Sequence, residues 1–194
     1  MRRTAIVFLG SLLVSATVYA GGSTPVEQQV QTCFACHGKQ GASTQAQYPI
    51  LAGQSFLYIY NQLKDFKAGR RSDPQMSPMA ANLSKEDMQA IAMYFSKQPW
   101  PYNSFNSDPA KAARAKAVAD AALCTMCHLG QFQGQNEIPR LAGQHFAYLK
   151  KQLLAFRSKT RTNDAGNMTA YTASLTDQQI DDLANFLAGL TVGH

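Results

Sequence analysis

The sequence lacks the patterns that mark several large classes of protein. Only 15% of its 194 residues are charged, and the basic residues behind its formal net charge of +6 form no run or stripe that would bind nucleic acid. Beyond the N-terminus there is no apolar run long enough to span a bilayer. No segment shows the alternation of apolar and polar residues that predicts a half-buried strand. We therefore expect an all-α protein.

The N-terminus has the composition of an export signal. Two arginines at positions 2 and 3 precede a short apolar segment, and the residues V-Y-A end it at Ala20. We predict a Sec-type signal peptide over residues 1–20, cleaved after Ala20, with an uncleaved N-terminal anchor as the alternative. The mature chain is then expected to be exported and soluble.

Cysteines are scarce, and their spacing is informative. Four cysteines in an exported chain first suggest disulfides, but here they fall into two C-x-x-C-H motifs, at Cys33, Cys36 and His37 and at Cys124, Cys127 and His128. Two cysteines three apart on a helix share a face, so they can bond both vinyl groups on one edge of a porphyrin. The following histidine then turns toward the iron as an axial ligand. The motifs predict two covalently bound haem c groups.

Two other kinds of site also use C-x-x-C pairs. A thioredoxin-like redox disulfide would sit in a βαβ pattern, which surrounds neither motif. A zinc site built from both pairs would have to bring together Cys36 and Cys124, which are far apart in the sequence. Zinc would also not require a histidine after each pair.

The duplication extends well beyond the motifs. Residues 48–66 match residues 138–156, and residues 83–98 match residues 175–190. We interpret the chain as two tandem domains, residues 21–99 (copy one) and residues 109–194 (copy two). The turn-rich segment 100–108 is the predicted linker.

Each copy is expected to contain three main helices. The first leads into the C-x-x-C-H motif and is best marked in copy two, with Asp108 as N-cap and Pro109 at the first position. The second follows the repeated L-A-G-Q segment. It has a broad apolar face over residues 56–66 in copy one. The third begins after Ser84 or Thr176, each of which starts a capping-box pattern.

A second axial ligand on each iron could be methionine, histidine or nothing. Met168 is the only methionine after the second motif, and the repeat aligns it with Met76, whereas Met79 aligns with Tyr171. We predict Met76 and Met168 as the ligands, each presented by a loop rather than a helix. The alternative is that both only fill space in the core. Of the two other histidines, His145 is expected at the surface and His194 is the last residue.

Pro49 and Pro139 are matched between each motif and the second helix. A ligand histidine usually donates its other N–H to a carbonyl or carboxylate, which fixes the ring. The proline carbonyls are candidates for this role, and a simple loop role is equally consistent with the sequence.

These motifs in this order resemble the dihaem cytochrome c4 family over essentially the whole mature chain. The resemblance implies two class I cytochrome c folds related by a pseudo-twofold axis, with haem propionates near the domain interface. It also implies periplasmic electron transfer with respiratory complexes. Carried onto this chain, it makes the four cysteines thioether sites, the prolines histidine-orienting groups and His37, Met76, His128 and Met168 the iron ligands.

If both irons have two protein ligands, the chemistry is outer-sphere electron transfer and the protein is not an enzyme. Our main hypothesis is a soluble or weakly membrane-associated carrier between a quinol-oxidising complex and a haem–copper oxidase. It would dock transiently on redox partner proteins and have no nucleic-acid or small-molecule ligand. The alternatives are the dihaem subunit of a flavocytochrome sulfide dehydrogenase, or a dihaem peroxidase or thiosulfate dehydrogenase.

Overall fold

The computed structural model describes residues 25–191, and its regular structure is helical. The helices are α1 Pro25–His37, α2 Phe56–Lys67, α3 Met76–Ala81, α4 Lys85–Ser96, α5 Pro109–Ala121, α6 Cys124–His128, α7 Phe146–Arg157, α8 Asn167–Thr172 and α9 Asp177–Gly189. A 3₁₀ turn, Lys39–Gly41, follows α1. Within this range the only strand-like pairing is an isolated bridge between Gln135 and Ile138. The fold is all-α, as the sequence predicts.

The predicted helix starts are present. Ser84 and Asp87 form a capping box at the start of α4, and Thr176 and Gln179 form one at the start of α9. The carboxylate of Asp108 accepts hydrogen bonds from two backbone N–H groups at the start of α5, where Pro109 is the first residue. These caps satisfy N–H groups that have no partner inside the helix.

Two details of the helices differ from the prediction. The first helix of copy two does not run into the motif: α5 ends at Ala121, and Leu123 takes a left-handed φ of 53° before α6 begins. A left-handed residue cannot continue a right-handed helix, so the chain changes direction between α5 and α6. In α2, Leu57 belongs to the predicted apolar face, but it is 39% exposed.

Each copy has its own hydrophobic core. In copy one, α1, α2 and α4 bury Val30, Ile59, Leu63, Ile91 and Phe95. In copy two, α5, α7 and α9 bury a separate set that includes Ala115, Ala119, Leu149, Leu183 and Leu187. Separate cores are what tandem domains require, because each must bury apolar surface without the other.

The junction between the copies is held by exchanged contacts. Gln54 in copy one hydrogen-bonds both the N–H and the carbonyl of Arg140, at 2.9 and 3.0 Å. Gln144 in copy two bonds the N–H and the carbonyl of Ile50 at the same distances. The repeat aligns each member of one pair with a member of the other, so the junction is pseudo-twofold symmetric.

Some sequence predictions fall outside the described residues. The predicted signal peptide, residues 1–20, and the last residue, His194, both lie there. Between residues 25 and 191, none of the helices combines the length and the apolar character that crossing a bilayer requires.

Candidate haem sites

The two motif histidines occupy equivalent and well-defined positions. The Nδ1 atom of His37 lies 2.9 Å from the carbonyl oxygen of Pro49, and Nδ1 of His128 lies 2.9 Å from that of Pro139. Both rings are buried, with 5% of each residue exposed. The structure therefore brings together the histidine and the proline that sequence analysis paired in each copy.

This contact determines the tautomer of each ring. A carbonyl oxygen can only accept, so Nδ1 must carry the proton and Nε2 is left with a free lone pair. Burial lowers the pKa of both His37 and His128, against the opposing effect of the proline carbonyls, and so favours the neutral ring. A neutral imidazole with Nδ1 protonated and Nε2 free is the form that binds a metal ion.

None of the four cysteines is in a disulfide, and each pair is placed for attachment to a porphyrin edge. Cys33 and Cys36 lie in the last turns of α1, and Cys124 and Cys127 lie in α6. Burial raises the pKa of the Cys33 and Cys124 thiols. In each motif the two cysteines and the histidine are on one continuous helical stretch. The three side chains can therefore all reach the same porphyrin ring.

The predicted methionine loops are helical instead. Met76 is the first residue of α3, and Met168 is the second residue of α8, each helix being a six-residue segment. An aspartate starts each turn. Asp73 accepts from the N–H groups of Gln75 and Met76, and Asp164 accepts from Gly166 and Thr169. The prediction that a loop would present each methionine was wrong, because these aspartates hold backbone N–H groups that start a short helix at Met76 and at Asn167, one residue before Met168.

Exposure distinguishes the two methionines of copy one. Met76 is half-buried and packs against the copy-one core, whereas Met79 is 46% exposed. Tyr171, which the repeat aligns with Met79, is also exposed, at 43%. In both copies the residue three positions after the predicted ligand therefore points outward.

Tyr48 connects the segment that carries Met76 with the surroundings of His37 in copy one. Gln75 donates a hydrogen bond to the hydroxyl of Tyr48 at 3.1 Å, and the Tyr48 ring centroid is 6.2 Å from that of His37. The repeat aligns Tyr48 with Ile138, so copy two lacks this hydroxyl. The surroundings of the two histidines are therefore not identical.

His145 is not a surface residue, contrary to the prediction. It is only 9% exposed, and its Nε2 hydrogen-bonds the carbonyl oxygen of Ser43 in the other copy at 2.9 Å. Burial lowers its pKa. Ser55, at the matching position in copy one, reaches across in the same way to the carbonyl of Asn136. This pair reinforces the junction and is not part of either haem site.

A second buried group at the junction was missed by sequence reasoning. Arg71 donates to Gln62, Tyr148 and Gln152, and Arg161 donates to Gln152, Gln62 and Tyr58, at 2.7–3.2 Å. Burial favours the neutral phenol of Tyr58, but the charges of Arg161 and Arg71 outweigh it and lower the pKa. The sequence did contain a sign of this group, because the repeat aligns Arg71 with Arg161.

The residues of each site fit haem c better than a protein-bound metal. Each copy supplies two thiols, a histidine with a free Nε2 and a half-buried methionine. Across residues 25–191, no three His, Cys, Asp or Glu side chains cluster as they would around zinc. Histidine and methionine are axial ligands that haem iron accepts.

Comparison with known proteins supports the assignment of both sites to haem c. Residues 112–191 match the family model described as cytochrome c, and residues 24–95 match that of cytochrome c oxidase, cbb3-type, subunit III. Two such helical units, each with a haem-attachment motif, define the class: a dihaem c-type cytochrome.

The relatives define the family. Cytochrome c4 of Pseudomonas aeruginosa is 33% identical over 98% of this chain and 100% of its own length. The crystal structure of reduced recombinant cytochrome c4 from Pseudomonas stutzeri matches with a TM-score of 0.80 and 35% identity, over 86% of this chain and 97% of that one. A protein of Stutzerimonas stutzeri described as a thiosulfate dehydrogenase electron acceptor is 33% identical over 88% of this chain and 82% of its own. The chain belongs to the cytochrome c4 family, and it binds two haem c groups covalently. Like these cytochromes it is an electron-transfer protein and not an enzyme.

Proposed function

We propose that the protein is a periplasmic two-electron carrier that takes electrons from a quinol-oxidising complex and delivers them to a haem–copper oxidase. In this proposal His37 and Met76 ligate one iron, and His128 and Met168 ligate the other. Haem c, when bound, supplies one-electron oxidation and reduction of its iron. The protein would hold each haem through its two cysteines and supply a histidine and a methionine to each iron, together with a buried site and docking surfaces.

The matched histidine–proline hydrogen bond in the two copies is the observation that supports this proposal most strongly. Both histidines are buried, oriented alike and left with a free Nε2, so the two sites have the same proximal design. An enzyme of the dihaem peroxidase kind needs one iron that opens to substrate. Two sites of the same design, each with a methionine at the matched position, favour electron transfer at both.

A second candidate partner comes from the relatives. The similarity to a protein described as a thiosulfate dehydrogenase electron acceptor favours a role as the electron acceptor of a thiosulfate-oxidising enzyme. This role keeps the chain a carrier and changes only the donor. It replaces the enzymatic alternative, in which the chain itself would oxidise thiosulfate.

Stopped-flow spectroscopy with the purified holoprotein separates the two donors. The oxidised protein is mixed with a reduced quinol-oxidising complex, or with thiosulfate dehydrogenase and thiosulfate, and the haem absorbance is followed. We expect rapid reduction by the quinol-oxidising complex, at a rate that falls with ionic strength because docking is steered by charge. If thiosulfate dehydrogenase with thiosulfate reduces the protein and the quinol-oxidising complex does not, the second role is assigned instead. Turnover of thiosulfate by the cytochrome alone would contradict both.

A further inference from the structure

One peptide group in each copy connects the motif histidine to the other copy. In copy one, the carbonyl of Pro49 accepts from His37, and the N–H of the same peptide, on Ile50, donates to Oε1 of Gln144 at 2.9 Å. The peptide is thus hydrogen-bonded at both ends, once within its own domain and once across the junction.

The arrangement is repeated in copy two. The carbonyl of Pro139 accepts from His128, and the N–H of that peptide, on Arg140, donates to Oε1 of Gln54 at 2.9 Å. Each glutamine is 3% exposed, so both chains of hydrogen bonds lie away from water. The side-chain N–H of each glutamine also donates to the next carbonyl, which holds the peptide in place.

Such a chain alters the histidine at its end. An acceptor on the peptide N–H polarises the peptide and makes its carbonyl oxygen more negative. In a low-dielectric interior each such bond strengthens the next by about 10–30%. A stronger Nδ1–H···O bond makes the imidazole a stronger electron donor through Nε2, and such outer hydrogen bonds tune a metal centre. The glutamine of one copy can therefore influence the iron of the other.

We propose that Gln144 is a positioning residue for His37 and Gln54 for His128, so that each domain helps to set the reduction potential of the haem in the other. The proposal rests on the proposed roles of His37 and His128 as ligands. The domain junction then helps to set the reduction potentials, and a substitution in one copy should change the potential of the haem in the other copy.

The test replaces Gln144 by methionine in the full-length holoprotein. Methionine has a similar length but lacks the amide oxygen, so the N–H of Ile50 loses its hydrogen-bond acceptor. We expect the potential of the copy-one haem to rise, because a weaker donor stabilises ferric iron less. The copy-two haem, in the same domain as the mutation, should keep its potential. Gln54→Met should give the opposite pattern.

Two further variants separate tuning from loosening of the junction. Gln144→Glu keeps an oxygen at Oε1, so it should not raise the potential of the copy-one haem. Gln152→Met removes a glutamine that also bonds across the junction, to Arg71, without touching the histidine peptides. It should leave the difference between the two potentials unchanged. Redox titration followed by NMR of the haem methyl groups resolves the two haems.

The Nδ1–H signal of each ligand histidine, in ¹⁵N-histidine-labelled protein, provides the site-specific readout. In Gln144→Met the His37 signal should move and the His128 signal should not. A shift confined to His128, equal shifts of both, or no shift in either variant would overturn the proposal. The proposed function fails in a different way: if His37 is not a ligand, its signal will show no large shift between ferric and ferrous protein, whatever occupies position 144.

Discussion

His145→Ser tests how strongly the two domains are held together. His145 is buried and donates to the carbonyl of Ser43, which is itself only 4% exposed. Serine, the residue at the matching position in copy one, is too short to replace the imidazole. The change removes one hydrogen bond and leaves a buried carbonyl without this donor, a combined cost of about 2 kcal/mol. For a protein of this size that corresponds to a fall in melting temperature of about 4–8 °C.

Urea denaturation of the holoprotein measures the same change as a lower midpoint at an unchanged slope. His145→Gln is the control, because its side-chain N–H can still reach toward Ser43 and should recover part of the loss. A His145→Ser protein within about 0.5 kcal/mol of the wild type would refute the reasoning. It would mean that water or a shifted backbone satisfies the carbonyl at no cost.

Four further predictions each concern a single residue. A Cβ on Gly134 would lie 2.4 Å from the carbonyl carbon of Pro139, so Gly134→Ala should disturb the His128 site and lower the yield of dihaem protein. Gly166→Ala, at a positive φ with open space around it, should cost only about 1 kcal/mol in a urea titration. Burial lowers the pKa of His145 below its unfolded value, so the stability that depends on the neutral ring is complete above about pH 6.5 and is lost as the pH falls. The wild type should therefore lose more stability than His145→Ser between about pH 6.5 and pH 5. Hydrogen bonds from Arg114 lower the pKa of Asp182, so Asp182→Asn should lower the urea midpoint at neutral pH and have a smaller effect once acid protonates the wild-type carboxylate.

The repeated motifs were sufficient to predict the fold class, and they made Pro49 and Pro139 candidate partners of the two histidines, with a simple loop role left open. C-x-x-C-H dictates a helical turn with three side chains on one edge, and the duplication implies two domains with separate cores. The capping boxes at Ser84 and Thr176 were readable because they depend on residues only three apart. Local chemistry of this kind needs no knowledge of the rest of the structure.

The errors have two physical origins. Around Met76 the Pro- and Ser-rich composition suggested a loop, but one carboxylate, Asp73, caps two N–H groups and starts a helical turn. His145 and the glutamines of the L-A-G-Q segments act across the junction, at sequence separations that no local pattern reveals. The repeat did contain a clue. The same glutamine is retained in both copies of the otherwise small and apolar L-A-G-Q segment, and such a polar side chain needs a hydrogen-bond partner when it is buried.

The central claim is that matched histidine–methionine pairs ligate both irons, and absorption spectroscopy of single methionine variants tests it most directly. The ferric wild-type protein should show the far-red band of methionine–iron ligation at an intensity corresponding to two haems. Met76→Ala and Met168→Ala should each remove about half of that band, and the half-exposed Met79 serves as the control, with Met79→Ala leaving it intact. Loss of half the band in Met79→Ala, or an undiminished band in Met76→Ala, would contradict the account.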